Sequence, residues 1–153
     1  MGLDPWWITG FTDGEGCFSV SFNLREKLKM KVEVRPSFSL SQSARSDKDA
    51  LEGVKAYFQC GDIRYGANDG TYKYEVRSIE KLVTQVLPHF ETYPLATPKR
   101  KDYLALQRIC SLMRRNLHQN PQGLAQIIDL AYTMNPAGKR RYSKEALLKI
   151  IGS

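Results

Sequence analysis

An α+β fold, in the order helix, two strands, helix, two strands, helix and then further helices, follows from three features of the sequence. Apolar and polar residues alternate in two pairs of short runs, the first between residues 17 and 41 and the second between 61 and 77. Polar, turn-forming residues join the two runs of each pair. The intervening stretches carry apolar residues at helical spacing, each behind an Asp, Ser, Thr or Asn suited to capping. Strands therefore come as hairpins with helices between them, the pattern of an antiparallel sheet covered on one face.

Asp4-Pro5 opens the first helix, because Asp caps and Pro fits a first turn whose N–H groups have no helical partner. The largely apolar run 6–12 ends on Gly14 and Gly16, which bracket Glu15. In residues 17–23, Phe18, Val20 and Phe22 point one way and Cys17, Ser19, Ser21 and Asn23 the other. A charged connection over 24–30 leads into the second strand, where Val32, Val34, Pro36, Phe38 and Leu40 oppose Glu33, Arg35, Ser37, Ser39 and Ser41. Pro36 predicts an edge or a bulge there. Ser46, with Asp47 and Asp49 in the first turn, is expected to start a helix burying Leu51, Val54, Tyr57 and Phe58.

The second hairpin turns at Asn68-Asp69-Gly70, with Tyr72, Tyr74 and Val76 inward and Lys73, Glu75 and Arg77 outward. Ser78 caps a helix carrying Ile79, Leu82, Val83 and Val86, which Pro88 is expected to end or kink. Thr97-Pro98 starts the next, with the stripe Tyr103, Leu106, Cys110, Met113 and Leu117. Asn120-Pro121 opens another, with Leu124, Ile127, Ile128 and Ala131 inward. A Gly-Pro loop over 135–142 then precedes a short helix over 143–151.

The 153 residues predict a single domain, 1–153, and a hydrophobic content of 42% suits a globular core. No run is apolar enough to span a membrane, and no signal peptide is expected at the Trp-rich start. Cys17, Cys60 and Cys110 are widely spaced and odd in number, which supports neither a disulfide framework nor a zinc site. His89 and His118 are isolated and are expected to be surface or packing residues. With 23 Lys and Arg against 16 Asp and Glu, the net charge of +7 favours a polyanionic partner.

Asp13 and Glu15 sit at the C-terminal end of the first helix, where the macrodipole is already negative. A divalent cation there would relieve both carboxylates and the last helix carbonyls. The alternative is a plain C-cap at Gly14 with solvated acids. The stretch Ile8-Thr9-Gly10-Phe11-Thr12-Asp13-Gly14-Glu15-Gly16 resembles the motif of the LAGLIDADG homing endonucleases. Gly10, Asp13 and Gly16 keep the family letters, Gly14 takes the place of an alanine, and Glu15 stands at the last acidic position. Thr9 departs from the family alanine. The element order extends the resemblance over nearly the whole chain.

That resemblance implies the αββαββα LAGLIDADG fold, with a curved antiparallel four-stranded sheet and additional C-terminal helices. It implies a site-specific DNA endonuclease that hydrolyses both strands of a long, near-palindromic target, leaves 3′ overhangs and serves intron mobility. Glu15 and the Gly14 carbonyl would hold Mg2+, with Mn2+ as a substitute; Asp13 is expected to hydrogen-bond locally. Gln42 would order water, and Lys99 would act on water or the phosphate, with Lys101 left open as its rival. Members with one motif are homodimers, which assigns Trp7, Gly10, Phe11 and Gly14 to an interface where Gly10-x-x-x-Gly14 lets two helices approach. Gly10 could instead seat a helix of its own protomer.

The outward side of the sheet collects Ser19, Ser21, Asn23, Arg25, Glu33, Arg35, Ser37, Ser39, Arg64, Lys73, Glu75 and Arg77. Water would suit these residues too. Their short hydroxyls nevertheless leave room for close approach, their polar ends match base edges, and a β-ribbon fits the major groove of double-stranded DNA. Lys139, Arg140 and Arg141 would grip phosphates. Two rival readings are an RNA-binding splicing maturase, with intron RNA as partner, and a DNA-binding regulator without catalysis. The compartment is expected to be intracellular, a prokaryotic cytoplasm or nucleoid or an organelle.

Overall fold

The computed structural model describes residues 2–46, 48–135 and 138–152, so the acid expected at position 47 and loop residues 136–137 lie outside it. Helix α1 is Pro5–Glu15, followed by strands β1 (Gly16–Leu24) and β2 (Val32–Ser43). Helix α2 (Asp49–Phe58) precedes β3 (Asp62–Gly66) and β4 (Thr71–Val76). Then come α3 (Ile79–Lys81), a π turn at Leu82–Val86, α4 (Leu87–Thr92), α5 (Lys99–Arg114), α6 (Pro121–Ala131) and α7 (Lys144–Gly152). The four strands form one open sheet in the order β1-β2-β4-β3, with β4 antiparallel to both β2 and β3. The α+β class and the order of elements agree with the sequence reading.

The chain divides into two compact units. The first takes residues up to Phe18 together with Ser37–Arg100. Its core is aromatic: Phe38 lies 5.1 Å from Phe18, 5.6 Å from Phe90 and 5.8 Å from Phe58, ring centre to ring centre. Ile8, Leu40, Leu51, Val54 and Tyr74 are fully buried beside this cluster, each burial contributing about 1.5–3 kcal/mol. Gly61, at φ +91°, begins the approach to β3; a Cβ there would sit 2.6 Å from the Tyr74 ring. Only glycine fits both the backbone and the space.

The second unit takes Ser19–Pro36 and the chain from Lys101 onward. Phe22 stacks on Tyr132, and Leu106, Ile109, Leu124, Ile127, Ile128 and Leu147 are fully buried. Asn120 caps α6 as its sequence predicts, its Oδ1 accepting from the Gly123 N–H at 2.8 Å.

One expectation needs correcting, and the two prolines take definite places. Helix α2 begins at Asp49 with Lys48 in the capping position, not at Ser46, because a 3-10 turn at Ala44–Ser46 intervenes. Strand β2 is internal to the sheet, but its ladder with β4 stops at the Phe38–Val76 pair, so Pro36 falls where β2 has no β4 partner, in keeping with the edge or bulge expected at that point. Pro88 does not end its helix. The π turn ahead of it, in which the Leu87 N–H bonds to the Leu82 carbonyl, widens the ladder where the ring would otherwise clash.

Candidate active site and nucleic-acid interface

Helix α1 starts on the Asp4 cap, which accepts from the Trp6 N–H at 2.8 Å. It buries Ile8, Thr9 and Thr12 and leaves Trp7, Gly10, Gly14 and Glu15 exposed, with Phe11 half-buried against the Trp7 ring. Thr9, the departure from the motif, has its own reason. Its hydroxyl donates to the Tyr93 carbonyl at 2.8 Å and lies 3.0 Å from His89 Nε2. Tyr57 Oη lies 2.8 Å from His89 Nδ1. Since the Thr9 proton goes to Tyr93, Nε2 must carry the imidazole proton and Nδ1 accepts from Tyr57. Burial pushes the His89 pKa down to about 4. His89 is thus a packing residue, as expected.

The C-terminal end of α1 is held from α5. Lys99 Nζ donates to the Thr12 and Asp13 carbonyls, both at 3.1 Å, placing a cation at the negative end of the helix. Asp13 does not bond locally as expected. Its carboxylate reaches across more than 80 residues to the Ala96 N–H (2.8 Å), the Thr97 N–H (3.1 Å) and the Thr97 hydroxyl (2.6 Å). Burial pushes its pKa up, but these hydrogen bonds and the Lys99 charge outweigh burial and hold it below the usual carboxylate value. Gly16 ends the helix, its N–H on the Thr12 carbonyl; a Cβ there would sit 2.8 Å from that oxygen.

Glu15 follows these engaged groups with its side chain exposed. A Cβ added at Gly10 or Gly14 would meet nothing within 4 Å, so neither glycine seats a helix of its own protomer among the described residues. Gln42 pairs with Tyr72 near the end of β2 and shares the sheet side of Phe38 and Leu40, not that of Ser39 and Ser41.

On the polar side of the sheet, Glu75 is a hub. Its carboxylate accepts from Ser37 at 2.9 Å and Arg64 at 2.7 Å, and pairs with Arg77 at 3.2 Å and Lys73 at 3.7 Å. Burial raises its pKa, but the Ser37 hydrogen bond and the three cations hold it low. Ser37 and Ser39 are only 7% exposed. They are therefore not the open hydroxyls the sequence suggested: Ser37 donates to Glu75, and Ser39 lies opposite it on β4. In the second unit Glu33 pairs with Arg25 at 3.2 Å and Arg35 at 4.0 Å; with the Asn23 amide turned to satisfy both its ends, its oxygen accepts from Arg35 at 2.9 Å. Ser21 and Arg25 are exposed and Ser19 partly so.

The basic run 139–141 is divided in role. Lys139 and Arg141 are exposed, whereas Arg140 turns inward, donates to the Val20 and Ala131 carbonyls, and stacks 4.7 Å over the Tyr132 ring. Arg140 is a structural tie, not a free phosphate grip. No spacing signal separates it from its neighbours.

A sequence profile of the LAGLIDADG endonucleases matches residues 8–110. The chain belongs to the LAGLIDADG endonuclease family. It is 32% identical over 151 residues to a probable intron-encoded DNA endonuclease of Mycosarcoma maydis, covering 97% of this chain and 53% of that protein. It spans about a quarter to a half of the length of the first curated relatives it matches. Among solved structures, the homing endonuclease I-TnaI shares 33% identity with a TM-score of 0.85, over 99% of this chain and 98% of that one. The archaeal intron-encoded homing endonuclease I-Vdi141I, solved in complex with DNA, shares 28% identity with a TM-score of 0.88, over 97% and 94% of the two chains.

In this LAGLIDADG chain the donor set suits a hard cation. Glu15 and the Gly14 carbonyl offer oxygen at the negative end of a helix. Among the described residues no cluster of three or more His, Cys, Asp or Glu is poised around a metal. One carboxylate and one carbonyl make no cage, but they fit a Mg2+ ion that keeps its waters and takes the rest of its ligands from phosphate.

Proposed function

We propose that the chain acts as a homodimeric, Mg2+-dependent, site-specific DNA endonuclease. The observation that carries this reading is the division of labour at the end of α1. Asp13 and Lys99 fix the helix end, and Glu15 is left exposed beside it.

Glu15 and the Gly14 carbonyl hold the cation, Mg2+ or Mn2+ in its place, which supplies charge stabilisation at the cleaved phosphate. Lys99 holds the Thr12 and Asp13 carbonyls just ahead of these ligands and brings a positive charge to the same helix end. Lys99 is preferred to Lys101 because its ammonium already lies on the motif's carbonyls. Gln42 orients water from the end of β2. In the first unit Arg64, Lys73 and Arg77, ordered by Glu75, serve as base and backbone contacts; in the second, Ser19, Ser21, Asn23, Arg25 and Arg35 serve in the same way. Lys139 and Arg141 bind phosphates.

The exposed Gly10 and Gly14 with Trp7 and Phe11 support a second copy packed on α1. A two-fold axis there pairs the two Glu15 carboxylates, one for each strand, and makes the target near-palindromic. Relatives described as intron-encoded endonucleases favour a role in intron mobility, inside whichever compartment holds the target DNA. Replacing Glu15 with Gln tests the reading: cleavage of a target duplex should fall by at least about a thousandfold with binding kept. Retained cleavage by E15Q would remove the assignment.

A further inference from the structure

The side of the β3–β4 hairpin turned away from the Glu75 hub carries a cavity of about 760 Å³, lined by Lys48, Lys55, Arg64, Tyr65 and Tyr72 over a floor that includes Ile63. Its volume is in the range of a ligand site. Tyr65 and Tyr72 are cross-strand partners, with ring centres 5.3 Å apart and planes 56° from parallel, and Tyr65 is 55% exposed. Lys48 Nζ lies 5.7 Å over the Tyr72 ring, and Lys55 of α2 also lines the cavity. Lys48 and Lys55 bring positive charge to the cavity against one acid, Glu52, which is paired with Lys48 at 3.6 Å; the Arg64 guanidinium is instead held by Glu75. Tyr65 lies on the edge strand β3, on the same side of the sheet as Tyr72, and leaves more than half of its surface open.

We propose that this cavity binds single-stranded nucleic acid, with an unpaired base against Tyr65 and Tyr72 and the flanking phosphates on Lys48 and Lys55. Flat aromatic rings flanked by lysines are what unpaired bases and their backbone require. Alternation along β3 separates this side from the duplex-facing side, because Tyr65 points opposite to Arg64, whose guanidinium is held by Glu75. The site therefore goes beyond the endonuclease reading and does not depend on it.

The test uses the full chain and fluorescently labelled 12-nucleotide RNA and DNA single strands of one mixed sequence, titrated by anisotropy with and without excess duplex. Single strands should bind, duplex should leave them bound, and the stronger of the RNA and DNA arms identifies the natural source. Tyr65→Ala and Lys55→Glu, both at exposed positions, should each weaken single-strand binding on the order of tenfold. Both should leave the melting temperature and duplex cleavage unchanged. Absence of single-strand binding, full displacement by duplex, or unaltered binding in both variants would overturn the proposal. Loss of self-association in Tyr65→Ala, with single-strand binding intact, would overturn it in favour of a second copy of this chain.

Discussion

Asp13 and Lys99 hold each other's helix ends. The Asp13 carboxylate caps the turn at Ala96 and Thr97 that leads into α5, and Lys99, at the start of that helix, donates back to the Asp13 carbonyl at 3.1 Å. The clamp fixes the last turn of α1 and therefore the backbone that carries Glu15.

Breaking the clamp should cost stability and activity together. Asp13→Ala removes a cap and is expected to destabilise the fold by about 1–2 kcal/mol, read by thermal melting. Cleavage should fall further than the loss of folded protein explains. The Asp13 pKa is lowered on folding, so its contribution is complete above the ordinary value of 3.8 and is lost as pH falls below it. Unchanged melting of Asp13→Ala down to pH 3 would contradict the clamp.

The glycines of α1 separate folding from assembly. A Cβ at Gly10 or Gly14 meets nothing in the protomer, and alanine favours a helix by about 1 kcal/mol over glycine. Gly10→Leu should therefore leave the isolated chain folded while abolishing the dimer, as read by sedimentation and circular dichroism. A dimer that survives Gly10→Leu would place the two-fold axis elsewhere.

Glu75 should govern selectivity more than affinity. Glu75→Gln removes the charge that holds Arg64, Lys73 and Arg77 and frees them for phosphates. Non-specific duplex binding should strengthen and its salt dependence steepen by about one unit of slope, while preference for the cognate site falls several-fold. Arg64→Ala should weaken recognition instead, at roughly 1–3 kcal/mol if it reads a base. Identical salt slopes for wild type and Glu75→Gln would refute the hub.

The fold was legible because β1, β2 and β4 announced their buried faces by alternation and most helices announced themselves by their caps. Asn120-Pro121, Ser78 and Thr97-Pro98 all start helices as their chemistry predicts. Ser46 misled because a 3-10 turn displaced the helix start, and no capping side chain marks the true one at Lys48. The motif residues were legible by resemblance, yet the partners of Asp13 were not. They lie over 80 residues away, and local spacing carries no information about them. Alternation likewise put Ser37 and Ser39 on the correct side of the sheet but could not show that both are buried there, Ser37 against Glu75. Arg140 was read with its neighbours because an inward and an outward arginine look alike in sequence.

His89 makes the protein acid-sensitive above the carboxylate range. Its pKa is about 4 when folded against an ordinary 6.5, so the folded state is penalised as pH falls from 6.5 toward 4. The full penalty is on the order of 3 kcal/mol. Protonation would also place an N–H on Nδ1, where Tyr57 now donates. The stability difference between wild type and His89→Gln should shrink from pH 7 to pH 5 in denaturant titrations. A constant difference would mean that His89 does not titrate there.

The central claim, that two copies of one motif cut two strands of one site, is tested most directly by cleavage selection. Purified protein with Mg2+ is incubated with a library of randomised duplexes, and the cut ends are sequenced. The account predicts one long, near-palindromic site cut in both strands with short 3′ overhangs, and no cutting by Glu15→Gln. A strongly asymmetric site, or duplexes bound tightly and never cut, would contradict it.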